Sequence, residues 1–264
     1  MRSRRRGTRP FPSPLRVAVV GVVVGLLALL GGCGSDDAEQ REPGAEVTSQ
    51  EAEVLSQVLY ANRQQGGADF EVTAPFAEGA LLTLTGEVDF ARGIGRAQAV
   101  TSYGDGRPED ARTLFFTADD LWQGGVPGLD AALTAAGLPP ATYVRRPIAA
   151  TDASGTASLL DVLVQMVPRL SARSADDPRS FADYTWVGSR SVNGKLSSVF
   201  QSGTGARIAV AADSKLLVQY LTRLQDFDVT ITLADHGERE ITLPADEDTV
   251  SLTEHPEVAA ALGL

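Results

Sequence analysis

The chain has 264 residues, a formal net charge of −11, 43% hydrophobic residues and a single cysteine. One cysteine excludes an internal disulfide and leaves no thiol set for zinc or paired-cysteine chemistry. An acidic balance of this size excludes nucleic acid as a partner, because the phosphate backbone repels it.

Arg2, Arg4, Arg5, Arg6, Arg9 and Arg16 precede an uncharged run at 17–30 built almost wholly of Val, Leu, Ala and Gly. A basic segment followed by an apolar one is the layout of an export signal. The run of 14 residues is shorter than the roughly 20 a helix needs to cross about 30 Å of hydrocarbon, so a cleaved signal fits better than a permanent span. It ends in Leu30-Gly31-Gly32-Cys33, where two small residues let the backbone enter a peptidase groove and the thiol is the nucleophile that takes lipid. This order resembles the lipobox of bacterial lipoproteins. The resemblance implies a signal peptide over 1–32, a diacylglyceryl and acyl anchor on Cys33, and a place on the outer face of the cell membrane. Loss of the six arginines takes the charge from −11 to −17, so anionic headgroups repel the remainder and the attachment is expected to be covalent.

Residues 33–48 are Ser, Asp, Glu, Gln, Pro and Gly with almost no large apolar side chain; they are expected to form a flexible tether, with one domain over 49–264. Ser49-Gln50-Glu51-Ala52 opens a helix whose apolar stripe is Val54, Leu55, Val58 and Leu59, and Gly66-Gly67 stops it. From Ala80 the period becomes two, giving strands at 80–90 and 94–103 around Ala91-Arg92-Gly93. Further strands are expected at 111–117 and 121–123, then a short helix at 129–136 closed by Gly137. The most apolar stretch beyond the signal, 159–167, reads as a helix buried on most sides or lining an apolar space, and Pro168 is expected to end or bend it near Leu170. Residues 171–179 form a surface loop. A hairpin of 182–191 and 196–201 turns at Asn193-Gly194, the pair that tolerates positive φ in a tight turn. Strands at 207–211 and 216–222 follow, then 229–233 and 241–243 flanking Asp235-His236-Gly237-Glu238, and a last short helix at 256–262. Antiparallel hairpins with a few helices predict an α+β fold, its helices laid over one face of a curved sheet.

Catalytic and metal-binding patterns are scarce. The two histidines, His236 and His255, read as solvated loop residues, and Gly-x-Ser-x-Gly and Ser-x-x-Lys are both absent. Gly93-x-Gly95, Gly104-x-Gly106 and Gly203-x-Gly205 each lack the third glycine of a dinucleotide loop and read as turns. Asp119-Asp120, Asp176-Asp177 and Asp246-x-Asp248 do not continue into a calcium loop. The expectation is a protein without catalytic residues, metal or cofactor.

The helix that opens at Ser49, the strand Gly86-Glu87-Val88-Asp89-Phe90, the stretch Tyr184-Thr185-Trp186-Val187-Gly188 before the Asn193-Gly194 turn, and Val229-Thr230-Ile231-Thr232-Leu233 followed by His236-Gly237 and Ile241-Thr242-Leu243-Pro244 together resemble the LolA/LprG-like group of exported lipoproteins. The resemblance implies a strongly curved antiparallel sheet, a half-barrel with helices packed in its concave face, enclosing an apolar cavity for the acyl chains of a lipid or glycolipid, and a carrier role. Leu160, Leu163, Val164, Met166 and Val167 are the candidate wall of that cavity. The same residues serve equally well in a filled core, in which case the sheet would be an interaction or sensing module for an envelope protein.

Overall fold

The computed structural model describes residues 41–148 and 158–264; the expected signal, Cys33 and residues 34–40 of the expected tether lie outside them. Thr48 caps the first helix, α1 (Ser49–Gln64), by a reciprocal pair: its hydroxyl accepts from the Glu51 N–H, and the Glu51 carboxylate accepts from the Thr48 N–H. Such a box satisfies two backbone donors that the first turn leaves unpaired. Before α1 comes the short strand β1 (Ala45–Glu46). After it run β2 (Gly67–Ala77), β3 (Ala80–Asp89), β4 (Ile94–Tyr103), β5 (Asp110–Phe116), β6 (Asp120–Gly124), α2 (Leu129–Ala136), β7 (Tyr143–Pro147) and α3 (Leu159–Met166). The last part holds β8 (Thr185–Val192), β9 (Lys195–Gln201), β10 (Arg207–Ala211), β11 (Leu217–Leu224), β12 (Phe227–Ala234), β13 (Thr249–Ser251) and α4 (Pro256–Leu262).

The thirteen strands of the described residues join one open sheet in the order β1-β8-β9-β10-β11-β12-β2-β3-β4-β5-β6-β7-β13. Among the described residues every strand pairing is antiparallel except β7 with β13, and with four α-helices there the fold is α+β. Asn193 and Gly194 both take positive φ, 48° and 78°, at the β8–β9 turn, as the Asn-Gly pair predicts.

Three expectations are corrected. Residues 241–243 are not a strand: β12 already pairs with β11 on one side and β2 on the other, so no edge remains for them, and Ile241 is buried with its carbonyl accepting from Arg92. Strand β2 itself was hidden by Gly66-Gly67 at its start and Pro75 near its end, although Ala68, Phe70, Val72 and Ala74 alternate inward along it. Residues 44–47, placed by composition in a flexible tether, lie along the sheet edge. Ala45 and Glu46 pair with Trp186 and Thr185, and the Arg41 guanidinium lies 5.1 Å from the Trp186 ring centre and pairs with Glu51. Local polarity said nothing of the backbone groups that the β8 edge offers to a passing segment.

The main core lies between one face of the sheet and α1 with α3: Leu55, Val58, Leu163 and Val164 meet Phe70, Leu84, Phe116, Ile231 and Leu233. A second cluster joins α2 and α4 to Val144 and Val250. A third, with Val192, Val199, Ala209 and Val218, takes the alternate residues of β9–β11 and so lies on the reverse face. Gly95 is required by the main core, since a Cβ there would stand 2.0 Å from the Phe116 ring. Gly95→Ala is expected to overpack this site and lower stability by about 1–3 kcal/mol, read as a shift in the denaturant midpoint.

Candidate functional site

A cleft of about 560 Å³ opens between α1 and the β10–β11 part of the sheet. Leu55 and Val58 come from the helix stripe, and Leu217 from the inward-facing positions of β11; all three are buried. Leu59, Met166, Ile208 and Tyr220 form the half-buried walls, while Arg169, Asp176 and Ser180 stand exposed at the rim. The arrangement is apolar below and polar above, as in sites that hold an amphipathic ligand.

Asn62 fixes one end of this cleft. Fully buried, it donates to the Leu170 carbonyl at 2.9 Å and accepts from the Leu217 N–H at 3.3 Å, tying α1 both to the turn after α3 and to β11. The following loop is tied to the helix as well, with the Ala172 and Asp176 N–H groups donating to the Leu59 and Ser56 carbonyls. Phe181 and Tyr184 pack edge to face, ring centres 5.0 Å apart, and close the side toward β8. Burial first, then the neighbouring Asp183 and Asp176 carboxylates and the Tyr220 phenol, push the Tyr184 phenol above its ordinary value, so its hydroxyl stays a neutral donor.

Of the residues proposed from sequence for the cavity wall, Met166 lines this cleft. Leu163, Val164 and Val167 are wholly buried in the main core, and Leu160 packs half-buried against it. The first-helix stripe supplies Leu55, Val58 and Leu59, whereas Ile208, Leu217, Phe181, Tyr184 and Tyr220 were not proposed from sequence for a site. Alternation marks the inward face of β10, but a bulge between Leu217 and Gln219 breaks it along β11, and only the tertiary fold shows which stretch of those faces is left uncovered.

His255 lies beside Glu257, Nδ1 to Oε1 3.2 Å. His236 is not the solvated loop residue expected: both ring nitrogens are shut away from solvent without a well-aligned hydrogen-bond partner. Burial and the nearby Lys195 charge hold it below its ordinary value, against a smaller opposing pull from the Leu217 backbone. The folded state therefore keeps the ring neutral while the unfolded chain takes a proton near pH 6.5. Stability is expected to be full above that pH and to fall as pH drops below it; His236→Gln should flatten this slope in urea titrations between pH 7.5 and 5.5. Among the described residues, no three His, Cys, Asp or Glu side chains are grouped to hold a metal ion, and no helix is long and apolar enough to cross a membrane.

No protein-family model matches the chain, and no curated protein matches it. Among solved structures it is similar to LprF from Mycobacterium bovis, with 12% identity, 76% of this chain and 99% of that chain covered, and a TM-score of 0.44. It is also similar to an uncharacterized conserved protein from Thermus thermophilus, with 9% identity, 75% and 97% covered, and a TM-score of 0.38.

Proposed function

We propose that the cleft beside α1 takes acyl chains of a lipid or glycolipid, and that the protein is a lipid-anchored carrier on the outer face of the cell membrane, working without catalysis. The observation that carries the reading is the cleft's composition: a buried floor of Leu55, Val58 and Leu217 under a rim of Arg169, Asp176 and Ser180. In this reading the sheet curves as a half-barrel with α1 and α3 in its concave face, and Leu160, Leu163, Val164 and Val167 back the wall to which Met166 contributes. Burial supplies the driving force at about 0.8 kcal/mol per methylene, so about ten buried methylenes give about 8 kcal/mol, a micromolar scale before association costs are subtracted. Diacylation of Cys33 holds the domain at a membrane that its charge would otherwise keep away.

The test is to express the full chain in a bacterial host, extract it in mild detergent and record native mass spectra. The expected result is a polypeptide beginning at Cys33 with covalent acyl mass, carrying a non-covalent lipid that Cys33→Ser does not remove. A chain without cargo that also refuses fluorescent fatty acids would overturn the carrier reading in favour of an interaction module.

A further inference from the structure

The reverse face of the sheet carries a second and larger cleft, about 790 Å³, away from the α1 face and independent of the carrier reading. It follows from register. Along one row across the strands, Glu71 stands opposite Thr85, Thr85 opposite Gln98, and Gln98 opposite Thr113. In the adjacent row, Asp69 faces Glu87, Glu87 faces Arg96, and Arg96 faces Phe115. These positions alternate with Phe70, Leu84 and Leu114 of the main core, so their side chains leave the opposite surface. Thr232 of β12 lies at one end of the cleft and Tyr143 of β7 at the other, a span of six strand spacings or about 29 Å at about 4.8 Å each. Asn193, from the tip of the β8–β9 hairpin, also lines it.

Two properties limit the occupant. The charges are largely matched internally: Arg96 holds Glu87 at 2.6 Å, and Arg239 holds Asp69 at 2.8 Å, leaving Glu71 as the cleft carboxylate without an ion-pair partner among the described residues. Among the described residues, an anion finds no free cation there. The polar groups left over are hydroxyls, amides and a carboxylate: Thr85, Glu71 and Asn193 have no side-chain hydrogen-bond partner among the described residues, and Gln98 uses only its carbonyl oxygen, toward Thr113. Hydroxyl-rich ligands both donate and accept, which this mixture matches and a purely donating or accepting ligand does not. At the far end Tyr143 and Phe115 meet edge to face with ring centres 5.7 Å apart, an apolar wall against which the C–H face of a sugar ring packs.

From this geometry we infer that the reverse-face cleft is a binding site for a neutral oligosaccharide. The test uses the full chain in a detergent without a sugar headgroup, titrated calorimetrically with short malto-, cello- and manno-oligosaccharides, a polyuronate and oligolysine. Vesicles bearing a neutral glycolipid form a parallel arm that distinguishes a lipid headgroup from a free glycan; binding in either arm supports the site. The expected result is saturable binding of at least one neutral series, weakened about tenfold or more by Gln98→Ala or by Thr85→Trp, which fills the floor, with fatty-acid uptake and thermal midpoint unchanged in Gln98→Ala. Absence of saturable neutral-sugar binding in every arm overturns the inference, as does tighter binding of polyuronate or oligolysine than of any neutral sugar, or an affinity in both variants equal to that of the parent protein.

Discussion

Arg146→Ala is expected to lower stability by about 1.5–3 kcal/mol. Arg146 reaches from β7 to the first turn of α3, where its two terminal nitrogens meet the Asp161 carboxylate at 2.8 and 2.5 Å. Asp161 is 1% exposed, while Arg146 keeps a fifth of its side chain in solvent. Removing the arginine takes a two-pronged ion pair from a carboxylate held inside the core, a sizeable loss against a total stability of about 5–15 kcal/mol. Arg146→Lys keeps the charge but loses the planar fork and should fall between the two. Replacing both partners, Arg146→Met with Asp161→Leu, should recover part of the loss, since an apolar pair of similar volume removes the buried charge itself. Urea denaturation of the four proteins measures this; a midpoint unmoved in Arg146→Ala would show that the ion pair does not hold α3 to the sheet.

Ile208→Trp is expected to abolish acyl binding while leaving the fold intact. Ile208 is a half-buried wall residue on β10, opposite Tyr220 on β11, so an indole there projects into free volume rather than into packed core. Displacing about five methylenes removes about 4 kcal/mol of burial, close to a thousandfold in affinity. Stability should change by less than about 1 kcal/mol, because the larger ring fills a space that was open. Leu196→Trp is the matched control: Leu196 is 62% exposed and outside the cleft, so uptake of a fluorescent fatty acid should match the parent protein. Equal uptake in both variants would place the acyl chains elsewhere.

Much of the chain was legible because its signals are local. The α1 stripe, the alternation of β3 and β4, the Asn193-Gly194 turn and the Pro256 start of α4 each rest on a few neighbouring residues, and the structure places those elements within a residue or two of expectation. Strand β2 failed because its inward residues include Ala68 and Ala74, which contrast weakly with their neighbours. Strand β7 failed because Arg145 and Arg146 conceal the single inward Val144, and its parallel partner β13 lies more than a hundred residues further on. His236 read as a solvated turn because polarity nearby says nothing about which hairpin folds over it.

By itself the sequence determined the acidic charge, the one thiol at Cys33, the α+β balance of elements and the apolar faces of α1 and the sheet, because composition and short-range periodicity suffice for each. The tertiary structure alone decided that Asp161 meets Arg146, that Asn62 joins α1 to β11, that Met166 alone of the five proposed wall residues lines the cleft, and that polar rows from separate strands align across the reverse face. The reason is physical: a local pattern states which face of an element avoids water, but a cleft exists where two such faces fail to meet, and that depends on register and packing between residues far apart in the chain.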